Sequence, residues 1–203
     1  MTMKSKLVLA LLATAFAATA LADEPGAKGG TIVASEPGRA AALRTVEISA
    51  QVVGIEKSTR TVTLKGPKGN VVDVVAGDEV RNFDQIKLGD FVFVRYAQAL
   101  SLELRKTKAP AGDVTVTEGA ARAQPGERPG VAGAREVTLI AEVVALDPKK
   151  STITFKGPRG NVVTLDVLNP DQFKVVKKGD QVNVTYTEAL ALTIEAAPKP
   201  AQK

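Results

Sequence analysis

The feature that most constrains this chain is an internal repeat. Residues 46–72 align with 137–163 without a gap, and 13 of those 27 positions are identical. Residues 89–104 then align with 179–194, where 8 of 16 are identical. The matches include Lys65-Gly66-Pro67 against Lys156-Gly157-Pro158 and Gly69-Asn70-Val71-Val72 against Gly160-Asn161-Val162-Val163. Gly89-Asp90 matches Gly179-Asp180, and Tyr96 matches Tyr186. Identity gathered at turn residues and alternating apolar positions is that of a duplicated small domain. Two copies are too few for a solenoid, which needs about three repeats to bury its stacking faces.

Within each copy the apolar residues alternate, as half-buried strands require. Val46, Ile48, Ala50 and Val52 hold one parity, and Val53 and Ile55 continue on the other. Val137, Leu139, Ala141 and Val143, then Val144 and Leu146, do the same. A parity change at one place in both copies predicts a bulge in a long strand. A second strand follows over Thr61–Lys65, then a Gly-Pro-Lys-Gly-Asn hairpin loop (Gly-Pro-Arg-Gly-Asn in copy two) and a third strand from Val71. The longer connection beyond it, holding Phe83 or Phe173, predicts a short helix, with Asn169-Pro170 as cap and first-turn pair. Val92, Val94 and Tyr96 define a fourth strand. Turns at Ala97-Gln98 and Thr187-Glu188 are expected next, with Leu100, Leu102 and Leu104 as a fifth strand. The order predicts an all-β protein of two tandem small five-stranded OB-like barrels, each with a short helix between strands three and four. A Src-homology-3-like barrel has the same strand count but lacks that helix.

Around the copies, residues 1–22 read as a secretory signal. Lys4 and Lys6 precede the apolar Leu7–Ala17, and Ala20-Leu21-Ala22 supplies a cleavage pattern before Asp23. The expected organisation is signal 1–22, an N-terminal flank 23–44, a first barrel 45–104, a linker 105–136, a second barrel 137–195 and a tail 196–203. Thr31–Ala34 in the flank and Asp113–Thr117 in the linker have the pattern of accessory strands. The apolar run is short for a membrane span, so no transmembrane anchor is expected after cleavage.

Composition removes several chemistries. The segment after residue 22 has no His, Cys, Met or Trp. Thiol catalysis, disulfides, haem and copper sites and ordinary zinc sites therefore have no ligands, and no cofactor or metal is expected. With no His base, no nucleophile elbow and no distinguished carboxylate pair, no catalytic residue is assigned. An atypical hydrolase is the remaining enzymatic alternative. The net charge of +5 invites a nucleic-acid reading. Yet 45–104 holds seven Lys/Arg against eight Asp/Glu, and 137–195 holds seven of each, so the excess lies outside the barrels. Exposed aromatics for base stacking are also scarce, and no specific nucleic-acid binding is expected.

Two surfaces carry candidate function. Lys65 with Lys68, and Lys156 with Arg159, project from equivalent hairpins, with Lys149 and Lys150 as neighbours in copy two. They are candidates for binding anionic envelope polymers. Phe91 and Phe93 oppose the core parity of Val92, Val94 and Tyr96, while copy two has Gln181 and Asn183 at those places. Two outward Phe residues mark a covered surface, whose cover is the strand at Thr31–Ala34, the second lobe or a partner protein, and in the last case a candidate protein interface. The segments Lys-Gly-Pro-x-Gly-Asn-Val-Val, Gly-Asp-x-Val-x-Val and Tyr-x-x-Ala-Leu resemble a recurrent domain of uncharacterised secreted proteobacterial proteins. The strand order is similar to periplasmic bacterial OB-fold proteins. The resemblance covers 45–104 and 137–195. It implies an export address and a binding or envelope role, with no catalytic residue to carry over. The short Lys-containing start and Ala-rich end of the signal look bacterial, so the expected address is the periplasm and the expected role that of a non-catalytic interaction or envelope-associated module.

Overall fold

The computed structural model describes residues 27–105 and 114–197. The expected signal, residues 1–22, and the tail from Pro198 lie outside them.

The fold is all-β, with ten strands in one open antiparallel sheet. The first repeat supplies β1 (Ala27–Glu36), β2 (Arg39–Glu56), β3 (Thr61–Lys65), β4 (Val71–Val75) and β5 (Phe91–Leu104). The second supplies β6 (Thr115–Arg122), β7 (Gly130–Asp147), β8 (Thr152–Lys156), β9 (Val162–Asp166) and β10 (Gln181–Glu195). A short α1 (Gln172–Val175) lies between β9 and β10, and a 3-10 turn, Phe83–Gln85, lies between β4 and β5. The strand order is β4-β3-β2-β5-β10-β7-β8-β9, with β1 on β2 and β6 on β7.

The bulges lie where the parity changes: register shifts between Val52 and Gly54 on β2 and between Val143 and Ala145 on β7. Val52 and Val143 are 1% and 0% exposed. Their backbones are stitched to the Gly-Asp turns. Val52 N donates to Asp90 O, and Gly89 N donates to Val52 O, both at 2.8 Å. Val143 makes the same pair of bonds with Asp180 and Gly179. Gly89 and Gly179 have φ of +88° and +87°, which accounts for glycine in both copies.

The turns expected at Ala97-Gln98 and Thr187-Glu188 are absent. β5 runs 14 residues and β10 runs 15 without a break. The physical reason is legible in the residues. Val92 through Leu104 keep one parity with no Gly or Pro between them, so nothing forces the chain to turn. β5 and β10 instead pair antiparallel from Phe91↔Glu195 to Leu104↔Val182, with Gln98 opposite Glu188. Tyr96 lies opposite Leu190 and Tyr186 opposite Leu100, so an approximate two-fold axis passes between Gln98 and Glu188.

Each strand therefore starts in its own repeat and ends in the other. Leu100, Leu102 and Leu104 of copy one pack on the core formed by Val137, Leu139, Val143, Ile153, Val182 and Val184 of copy two. Leu192 and Ile194 of copy two complete the core around Val52, Val62, Phe83, Ile86 and Val92. All ten strands join in one sheet, and that sheet carries two reciprocally completed cores.

The flanks take part in the same exchange. Much of the expected linker is strand, since β6 and the start of β7 fall in 105–136, and β1 with the start of β2 fall in 23–44. Thr31–Ala34 lies inside β1 and Thr115–Thr117 inside β6, while Asp113 is outside the described residues. The β1–β2 turn docks on α1. Gly38 N donates to Gln172 Oε1 at 2.9 Å, and Gln172 Nε2 reaches Glu36 O at 2.6 Å and Arg39 O at 2.8 Å. The β6–β7 turn docks on the first repeat. Asn82 Nδ2 donates to Gln124 O at 2.6 Å and Glu127 O at 3.0 Å, and Arg128 Nη2 binds Asp90 Oδ2 at 2.9 Å.

Candidate functional site

Strand alternation divides the central sheet into two faces. One carries Val92, Val94, Tyr96, Gln98, Leu100 and Leu102 toward the cores; the other carries Phe91, Phe93, Arg95 and Ala97 outward. Phe91 and Phe93 lie side by side with ring centroids 6.5 Å apart, half-buried and belonging to neither core cluster. The Arg95 guanidinium lies 5.5 Å from the Phe93 centroid and binds Glu47 Oε2 at 2.6 Å. The N-terminal strand around Thr31–Ala34 pairs along the far side of β2 from β5, so it does not cover these rings.

The outward face continues into a shallow trough of about 660 Å³. Its floor is Ala97 on β5, Ala189 and Ala191 on β10, and Ala132 and Ala134 on β7. Register places Ala97 opposite Ala189 and Ala189 opposite Ala134, a row of small side chains crossing three strands, with Ala191 and Ala132 beside it in the row that Arg95 begins. Lys28, Glu47 and Arg95 stand at its rim. The two Phe residues extend the same face along β5.

The basic hairpins are exposed, with Lys65 and Lys156 ending β3 and β8 and Lys68 and Arg159 in the turns. They are not brought together. Lys65 pairs with Gln51, seven residues beyond Arg44 at the two-fold level, and Lys156 pairs with Glu142, seven beyond Arg135 in the opposite direction. At roughly 3.4 Å per residue, the two sites lie about 48 Å apart along the strands. Lys149 and Lys150 precede β8 and so sit at its other end from Lys156.

A polar cluster sits on the two-fold axis, on the inward face, and joins Gln98 and Glu188, expected in turns, to the inward Tyr96 and Tyr186. Tyr96 donates its hydroxyl hydrogen to Glu188 Oε1, and Gln98 Nε2 donates to the Tyr186 hydroxyl at 2.9 Å. Arg44 lies opposite Gln98 and Arg135 opposite Glu188 in the ladder, and Arg135 Nε is 3.6 Å from Glu118 Oε1. Burial, reinforced by the Glu188 carboxylate, holds the Tyr96 phenol well above its usual range. Burial also raises Tyr186, opposed by the bond from Gln98. Both phenols stay neutral near pH 7, which suits hydrogen-bonded structural groups rather than bases. The signal that could have located this cluster is the unbroken parity from Tyr96 through Gln98 to Leu100.

Among the described residues no group of His, Cys, Asp or Glu is arranged to hold a metal ion, and no helix is long and apolar enough to cross a membrane. The repeated carboxylates are engaged in structure. Asp90 Oδ2 accepts from Lys87 N at 3.0 Å and from Arg128, and Asp180 Oδ2 accepts from Lys177 N at 2.8 Å. Comparison with protein-family models, curated proteins and solved structures found no match to this chain.

Proposed function

We propose that this chain is a non-catalytic interaction module of the bacterial periplasm, built from two OB-like barrels that complete one another. In the first half, β4-β3-β2-β5 followed by the end of β10 supports that reading, because this is the strand path of a five-stranded OB barrel without its closing pair. The contact surface is the outward face of the central sheet. The observation that carries it is the continuity of Phe91 and Phe93 with the small-residue trough, which leaves a broad apolar bed rimmed by Lys28, Glu47 and Arg95. A flat bed of this kind suits an envelope protein partner more than a polymer. Binding of anionic envelope components would have to use two remote hairpins with two cations each, an ordinary solvating density for hairpin tips.

The test is photo-crosslinking in cells with probes replacing Phe93, Ala191, Lys68 and Arg159 singly. Capture of one envelope protein at both Phe93 and Ala191, and at neither hairpin, supports the reading. Adducts to polymer at the hairpins, or only intramolecular adducts at Phe93 and Ala191, would overturn it. The expected address is checked by cell fractionation and by sequencing the mature N-terminus, which should begin at Asp23.

A further inference from the structure

On the inward side of the same strands, a cleft of about 450 Å³ opens between β9 and the first half of β2. Among the described residues β9 pairs with β8 alone, and the cleft lies between its free edge and the β1–β2 pair. Val163, Leu165 and Val167 line one wall, and their successive two-residue spacing gives a slot about 14 Å long. Leu100, Leu102 and Leu104, brought in from the first repeat, form the floor. Ala40 and Ala42 on β2 form the opposite wall, and their small side chains keep the slot open. Phe155 and Ile153 close its depth.

The polar side chains that line the cleft are engaged with one another or stand at its exposed rim. Gln172, 6% exposed, spends both ends of its amide on the β1–β2 turn. Arg39 at the mouth is paired with Glu103 at 2.6 Å. Ser35 Oγ accepts from Gln172 Nε2 at 3.1 Å, Thr164 Oγ1 lies 3.0 Å from Thr154 Oγ1, and Thr164 and Asp166 line the cleft from its exposed rim. A sugar or nucleotide buried against this floor would lose hydrogen bonds to water, at a cost of roughly 1–3 kcal/mol for each polar group left without a partner. A hydrocarbon chain would lose nothing. The corresponding positions of the first repeat carry smaller groups, with Leu64, Val74 and Ala76 for Phe155, Leu165 and Val167, and every residue of β4 is exposed. The second half is thus the one with an apolar slot.

We propose that this slot binds a single acyl-type hydrocarbon chain, held by its tail with the head group left in solvent. The site is separate from the proposed protein-contact face, so either can fail without the other.

The test titrates the chain lacking residues 1–22, carrying 13C-labelled Leu and Val methyl groups, with dodecanoate and with 1-dodecanol below micellar concentrations. Expected are saturable one-to-one shifts centred on Leu100, Leu102 and Leu165, with affinities for the two probes within about threefold of one another, since the head group is not read. Ala42→Phe, which fills the slot, should weaken binding at least about tenfold. Leu43→Phe, exposed on the opposite face of the same strand and outside the cleft lining, should leave it unchanged. Val163→Phe on the β9 edge is a second filling variant, should Ala42→Phe fail to fold. Absence of saturable shifts, indifference to the folded filling variants, or shifts confined to the Ala97 and Ala191 side would each overturn the proposal.

Discussion

Separating the two repeats tests the reciprocal architecture most directly. A chain of residues 23–112 keeps β1 through β5 but loses Leu192 and Ile194, and its own Leu100, Leu102 and Leu104 lose their core. At about 1.5 kcal/mol for each of these five partly or fully buried side chains, the exchange is worth about 7 kcal/mol. A domain of this size has a total stability of about 5–15 kcal/mol, so the loss takes half or more of it and a lone half is expected to be largely unfolded as a monomer. The approximate two-fold offers one escape. Two copies of the fragment can pair β5 with β5, placing Gln98 opposite Gln98 and restoring leucines to both cores. The expected result is an unfolded monomer at low concentration and a folded dimer at high concentration, read by sedimentation equilibrium and circular dichroism. A protease site placed within 106–113 of the whole chain should, once cut, leave the halves associated on gel filtration. A monomeric fragment with a cooperative thermal transition would refute the reasoning, because it would mean that each repeat closes on itself.

Gln172→Leu should destabilise the chain by about 2–3 kcal/mol, since the β1–β2 turn loses one acceptor and its carbonyls lose a donor, and the midpoint of thermal unfolding should fall by about 5–10 °C. Arg128→Ala strips the partner from Asp90, whose side chain is 5% exposed. A loss of about 1–2 kcal/mol is expected, and Asp90→Asn should recover part of it in a double-mutant cycle. The Tyr96 and Tyr186 phenols are raised in the folded state, so the unfolded chain releases these protons first as pH increases. Their contribution is intact below the ordinary tyrosine value of about 10 and is lost above it, and Tyr96→Phe should flatten that alkaline decline in denaturant melts.

Much of the local structure was legible in the residues. The parity change at Val52 and Val143 located both bulges, and the Gly-Pro-x-Gly-Asn segments located both hairpins, because bulge and turn geometry is decided within a few residues. Phe91 and Phe93 were readable as outward for the same reason, since alternation states which side of a strand a residue takes. Tyr96 and Tyr186 were readable as inward. The polar cluster around them was missed because Gln98 and Glu188, two polar residues among apolar ones, have the local composition of a turn. The docking roles of Gln172, Asn82 and Arg128 had no local signal, since each acts on a segment more than thirty residues away.

By itself, then, the sequence determined the duplication, the all-β class, the strand ends at the hairpins and the inward or outward side of nearly every strand residue. Tertiary structure alone decided which core each strand would serve. Leu100, Leu102 and Leu104 have the same parity whether the chain turns at Gln98 or runs straight on. Alternation records burial but not the partner that buries. Continuing the strand keeps the backbone ladder of β5 and β10 unbroken across the two-fold axis. That choice joins residues about ninety positions apart, and no window of local sequence contains it.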